Sequence, residues 1–464
     1  MNLNIKLFNF QGDKKLMANL TKLVAAAATV TAATGASIIA ARATNPKMAF
    51  RGKDYTIPEI DLSVMPNNVP EEYKYLYEQV VVEDSGDYYA HPDSVLLKNN
   101  NILTFYPAGH GKGAILNKVS VDGGKSYSET IKNTPKSWEK SLETPTVYRL
   151  EFKDGSEKLI LISGNAKWPK MSTPGGFNCS ISENEGQTWS EFKTFFDKST
   201  STPVIPIVAM ASLTRLKENG EFVDKWMGFF HDSKFNNYKT ILTFNINGEM
   251  EWSTPERYFS RYALTEKISN MCEVEVIRSK GGKGGELALI TRSNTKKMNS
   301  LISFSQDEGK NWSKPRELPA AISGERLKAD YLDDGRLFIV FRSIERGPKA
   351  AAAATTTKEK QRGWMSEGWV AWVGTYEDLK NGTEGQYRIK LAHTYLDGQK
   401  EPQYSANADT GYCGTVVMPD GTVVTSTYGC FDPNKYTLDS KKYRTSIVSK
   451  RINVKDVEKL YNLK

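Results

Sequence analysis

The chain has 464 residues, of which 25% are charged and 11% aromatic, with a formal net charge of +8 and no run of five or more basic residues. That balance excludes a disordered chain and argues against a nucleic-acid binder, and the length exceeds one ordinary compact core. The four cysteines, Cys179, Cys272, Cys413 and Cys430, form no CxxC pair, which argues against a zinc site or a disulfide scaffold and leaves them as buried thiols.

In chain order, the first feature is a leader. Lys14 and Lys15 precede LTKLVAAAATVTAATGASIIAARA, which ends Ala41-Arg42-Ala43. A basic start, an apolar middle and an A-x-A end fit an export signal over residues 1–43, cleaved or kept as an N-terminal anchor. The expected location is secreted, periplasmic or cell-surface. Residues 44–80, including PEIDLSVMPNNVPEEYKYL, read as an irregular lead-in.

A turn then recurs. Ser120-Val-Asp122-Gly-Gly124-Lys-Ser126-Tyr127 is matched by Ser182-Glu-Asn184-Glu-Gly186-Gln-Thr188-Trp189 and by Ser305-Gln-Asp307-Glu-Gly309-Lys-Asn311-Trp312. A worn copy keeps Asn247 and Trp252. The closing aromatics, 127, 189, 252 and 312, recur at intervals of about sixty residues. Asx and Gly suit such turns because the side chain bonds its own backbone and Gly accepts φ > 0.

A hairpin pattern repeats in phase: 91–109, 144–164, 211–232, 272–292, 327–342 and 411–429 each read as apolar strand, turn, apolar strand. No long amphipathic helix follows the leader. Six such units predict an all-β, six-bladed β-propeller over 81–464, because radial packing covers both faces of sheets that cannot bury them alone. The stretch 346–363, RGPKAAAAATTTKEKQRG, reads as a low-complexity loop insertion.

Inner-strand starts and the residues just past each strand pair converge on one mouth of a propeller. From the six units these are His91 and Asp93; Thr144 and Asn165; His231 and Asp232; Glu273, Glu275 and Arg292; Asp330 and Arg342; Tyr412 and Tyr428. Of four histidines, His91 and His231 fall at these positions, and His110 lies in the loop GHGKGA directly after the first pair. The fourth is His393. Their spacing carries no metal-ligand signature, and neither metal nor cofactor is expected.

The spaced S-x-D-x-G-x-T-W turns resemble the Asp-box (BNR) repeats of the sialidase superfamily, six-bladed propellers, over roughly residues 80–440. The resemblance implies an exo-glycosidase that removes a terminal acidic sugar, sialic acid or a related ulosonic or uronic acid, with a glycan as partner. It implies Tyr412 as nucleophile, Glu273 as the carboxylate that activates it and Arg292 as the grip on the substrate carboxylate. A neutral phenol approaches an anomeric carbon bearing a carboxylate, where an anion would be repelled. The sequence departs from the family pattern at Ala90, where an arginine is expected, and in GHGKGA, where the acid/base Asp is expected. His110 then stands as acid/base. Lys112, Arg342, His91, Asp93, His231 and Asp330 stand as substrate-binding residues. The alternatives are a His-centred propeller glycosidase or lyase and a non-catalytic glycan-binding propeller. A monomer is expected.

Overall fold

A computed structural model describes residues 54–85, 88–110, 113–166, 175–346, 364–392, 410–431 and 445–463. The leader, Lys112, His393 and most of the Ala/Thr/Lys insertion lie outside the described residues. Each expected hairpin forms the first two strands of one blade, and the six sheets make a six-bladed β-propeller. The inner strands are Asp93–Leu96, Pro145–Glu151, Ile207–Glu218, Met271–Arg278, Gly324–Tyr331 and Cys413–Val417. They stand side by side in that order, and the sixth lies against the first.

The second strands explain the apolar runs in the sequence. Leu159–Ile162, Leu287–Ile290 and Leu337–Phe341 are fully buried, because each strand is covered on both faces by neighbouring blades. Apolar clusters fill the gaps between consecutive blades: Trp138, Phe105 and Leu159 between blades 1 and 2, and Trp372, Ile290 and Phe341 between blades 4 and 5. Between blades 6 and 1 two clusters do this: Ile102 with Val416 and Val424, and Tyr106 with Val82, Tyr412, Tyr428 and Ile447.

The repeated turns follow the third strands of their blades, Ile115–Ser120, Phe177–Ser182 and Leu301–Ser305. In the first, Asp122 Oδ1 accepts from the backbone N–H groups of Lys125 and Ser126 at 3.0 Å, and Ser120 Oγ accepts from Gly124 N at 2.8 Å. Gly186, at φ 78°, sits where an added Cβ would meet Leu103 Cδ2 of the preceding blade at 2.6 Å. The turn therefore also packs blade on blade.

The lead-in contributes to two sheets. Glu59–Asp61 adds in parallel to Tyr387–Ala392 of blade 5. Val80–Glu83 pairs antiparallel with Ser446–Asn453 as the outermost strand of blade 6, so an N-terminal strand completes the last blade.

Candidate active site

The six inner strands begin at one mouth of the ring, and four of their starts carry an unusual backbone. His91, Val208, Glu273 and Arg326 take positive φ, between 44° and 52°. In blades 3, 4 and 5 a register shift falls at the same place, between Ile207 and Ser212, Cys272 and Glu275, and Glu325 and Lys328. Such bulges break the strict alternation of a strand and re-aim a side chain. Left-handed non-Gly residues cost about 1–2 kcal/mol each and persist where surrounding contacts fix them.

A cavity of about 280 Å³ opens at this mouth, lined among others by His91, His110, Glu143, His231, Glu273, Arg292, Arg342 and Tyr412. At its floor three groups meet. Tyr412 OH donates to Glu273 Oε1 at 2.6 Å. Arg292 Nη1 donates to both oxygens of Glu273, at 2.8 and 3.0 Å, and to Tyr412 OH at 2.6 Å. Its second terminal nitrogen, Nη2, reaches Asn294 Oδ1 at 2.7 Å and Glu325 Oε1 at 2.9 Å. Glu325 also takes Lys296 at 2.7 Å and Arg342 Nε at 2.7 Å. The Arg342 guanidinium lies 5.1 Å from the Tyr412 ring centre.

Burial pushes the Tyr412 phenol well above its ordinary value, so it is protonated at neutral pH. Burial also pushes the Glu273 carboxyl up, but the Arg292 charge and the Tyr412 hydrogen bond outweigh it and leave the carboxyl below its usual range. The pair is therefore a neutral phenol bonded to an ionised carboxylate.

The histidines line the same cavity by different means. The His91 ring lies 4.6 Å from Tyr412 and 4.9 Å from both His110 and Tyr428, and its Nδ1 meets Thr144 Oγ1 at 3.1 Å. Burial holds His91 well below the ordinary histidine value and takes His231 down to about 4, so both are neutral. His231 stacks at 7° on Phe235. Phe235 sits on a turn that Asp232 fastens by accepting from Lys234 N and Asn236 N. His110 is exposed at the rim, with Nδ1 2.6 Å from Tyr88 OH.

Asp93 and Asp330 are not among the residues lining the cavity. They lie deeper along the axis. Asp93 accepts from Val147 N at 3.0 Å and pairs with Lys328 at 3.5 Å, and Asp330 lies in the same charged group with Lys328 and Glu275. Among the described residues no three His, Cys, Asp or Glu side chains are grouped to hold a metal ion.

Sequence reasoning missed Glu143, Asn294 and Glu325. Glu143 stands one residue before Thr144, and Asn294 two after Arg292. Glu325 opens the blade 5 hairpin just ahead of the unit read from the sequence. Glu143 is buried, its Oε2 accepts from Ala209 N at 3.3 Å, and burial raises its carboxyl to about 7.

A family model described as a BNR repeat-like domain matches residues 139–423. No curated protein sequence matches the chain. Among solved structures, a protein of unknown function from Dyadobacter fermentans is 13% identical with a TM-score of 0.52, covering 80% of this chain and 98% of that one. The α-L-arabinofuranosidase of Fusarium graminearum is 10% identical with a TM-score of 0.50, covering 82% and 98%. The intramolecular trans-sialidase of Ruminococcus gnavus is 12% identical with a TM-score of 0.48, covering 81% and 97%. At these identities the likeness is one of fold.

Proposed function

This chain belongs to the BNR repeat-like domain family and has a six-bladed propeller with a fold like that of the α-L-arabinofuranosidase, and from that premise we propose that it is an exo-glycosidase that removes a terminal acidic sugar through Tyr412. One observation carries the reading: the phenol of Tyr412 and the carboxylate of Glu273 share a 2.6 Å hydrogen bond beneath an open cavity. As the Tyr412 oxygen attacks the anomeric carbon, its proton passes to Glu273 Oε1. Arg292 touches both groups, so it aligns the pair and offsets the oxyanion character of the phenol in the transition state.

Charge supports an anionic substrate. Three cations, Arg292, Arg342 and Lys296, surround two carboxylates, Glu273 and Glu325, which leaves a surplus of one positive charge at the floor. A substrate carboxylate would meet that surplus without a fixed anion opposing it. The Ala-rich leader supports an exported enzyme meeting glycans outside the cytoplasm. A neutral sugar is the second reading. It is favoured by the occupied guanidinium of Arg292, already spread over Glu273, Asn294 and Glu325.

The test is a panel of 4-nitrophenyl glycosides, with N-acetylneuraminic acid, a uronic acid and L-arabinofuranose as the sugars. Tyr412→Phe and Glu273→Gln are each expected to lower turnover by about 10³-fold or more on the preferred sugar. A fluorinated form of that sugar should leave a covalent adduct on Tyr412, read by peptide mass spectrometry. Full activity of Tyr412→Phe would remove the tyrosine from the chemistry. Preference for arabinofuranose would select the second reading.

A further inference from the structure

The tyrosine–glutamate pair supplies attack but no proton for the departing oxygen, and the loop where the resemblance places that donor holds His110. The geometry points to a different group. We propose that Glu143 is the general acid and base of this cavity; the assignment rests on the reading of Tyr412 and Glu273 as the nucleophilic pair.

Three observations converge on Glu143. It starts the inner edge of blade 2, two blades away from Glu273 around the ring, and lines the same cavity. A seat is shaped for it: a Cβ at Gly164, on the neighbouring strand, would fall 2.7 Å from Glu143 Cβ and 3.0 Å from its Oε2. Finally, among the described residues no lysine or arginine pairs with it, while Glu273 is doubly bonded by Arg292. Its polar contacts are neutral: the N–H groups of Ala209, Val208 and Thr144 and the Thr144 hydroxyl, which also meets His91; they hold the carboxyl down but do not outweigh burial.

The two carboxyls therefore sit in opposite environments. The ionisable groups across the cavity are neutral His91 and His231, the Glu273–Arg292 pair, Arg342, the phenols of Tyr412 and Tyr428, the Cys272 thiol and, at the rim, His110. Burial raises Glu143 to about 7 and the arginine lowers Glu273. A pair split this way divides into a proton donor and an ionised partner. His110, by contrast, is exposed and shares its Nδ1 with Tyr88.

The steps balance. Tyr412 oxygen bonds the anomeric carbon and its proton moves to Glu273. The glycosidic C–O bond breaks, and the leaving oxygen takes the Glu143 proton and departs as an alcohol. Water then attacks the anomeric carbon, giving its proton to the Glu143 carboxylate. The tyrosine oxygen leaves and recovers the proton from Glu273, and both residues return to their starting forms.

The test compares leaving groups on the preferred sugar. With an alcohol leaving group, Glu143→Gln should lose about 10²–10⁴-fold in turnover. With 4-nitrophenol, which departs without protonation, the loss should stay below about 10-fold in the glycosylation step, and added azide should restore the rate because it attacks without a base. His110→Gln should lose less than about 10-fold on both. A measurement on the wild type alone adds a check that needs no folded variant. Its kcat/KM for the alcohol glycoside should fall above about pH 7, while that for 4-nitrophenol should not fall with it. Equal losses on both leaving groups without azide rescue, leaving-group dependence in His110→Gln, or matching wild-type profiles would each overturn the assignment. A wild type that turns over no glycoside of the panel and forms no Tyr412 adduct would instead overturn the parent reading, leaving Glu143 nothing to protonate.

Discussion

The Glu325 carboxylate is 3% exposed and takes three cations at once, Arg292, Lys296 and Arg342. Burial alone would push its carboxyl up, but Arg292, Arg342 and Lys296 hold it well below the ordinary range. It touches no substrate in the proposed chemistry. Its work is to position Arg292, which touches both Tyr412 and Glu273. Removing one partner from a buried ionic group leaves the others uncompensated, at a cost of about 3–5 kcal/mol. Glu325→Gln is therefore expected to lower the urea-unfolding free energy by that amount. It should also cut turnover more than about 10-fold, since a small shift of Arg292 misaligns the nucleophilic pair. A variant as stable and active as the wild type would show that the arginines hold their places unaided.

Among the elements of blade 2, the recurring turn at Gly186 can be compared with the hairpin turn at Gly155, which joins Pro145–Glu151 to Glu157–Gly164. Gly186 and Gly155 both take left-handed backbone, φ 78° and 82°. Gly186 packs onto Leu103 of the preceding blade, whereas nothing lies within 4 Å of a Cβ at Gly155. Gly155→Ala is expected to cost about 1 kcal/mol, the backbone term alone. Gly186→Ala adds the clash with Leu103 and should cost about 1–3 kcal/mol more. Equal costs in chemical denaturation would mean that the turn does not join blades. These turns were legible in the sequence because their bonds lie within a few residues. So were the hairpins, whose apolar runs reflect burial on both faces. The inner-strand bulges were not legible: they shift the phase between sequence position and direction. His91 at φ 44° reaches the cavity while Asp93 points along the axis, and Arg326 at φ 52° precedes an Asp330 that lies below the mouth. Glu143 escaped for a similar reason, being one residue from an inferred mouth position. Tyr412, Glu273 and Arg292 were placed by resemblance, and they meet in space.

The whole ring closes at one seam, between blades 6 and 1. Blade 1 has three strands among the described residues, and it meets blade 6 through Ile102, Val416 and Val424 and through Tyr106 packed with Val82, Tyr428 and Ile447. The closing strand Val80–Glu83 pairs with a partner more than 360 residues away, a distance no local pattern reveals. Glu83, its last residue, reaches across this seam. It accepts from Tyr106 OH at 2.9 Å and pairs with Lys118 at 3.3 Å, both in blade 1. Burial pushes the Glu83 carboxyl up, but Ser85, Tyr106 and Lys118 together bring it down to about 2, from an ordinary 4.5. A depressed carboxyl stabilises the fold in its ionised form. The contribution is complete above the unfolded value, near 4.5, and is lost as pH falls through the folded value, near 2. Glu83→Gln is thus expected to cost about 2–3 kcal/mol at neutral pH. The gap between wild type and variant, followed by urea unfolding, should hold steady down to about pH 5 and close toward about pH 2. A gap that stayed constant into strong acid would mean that Glu83 closes the ring by shape and hydrogen bonding, with its charge contributing nothing.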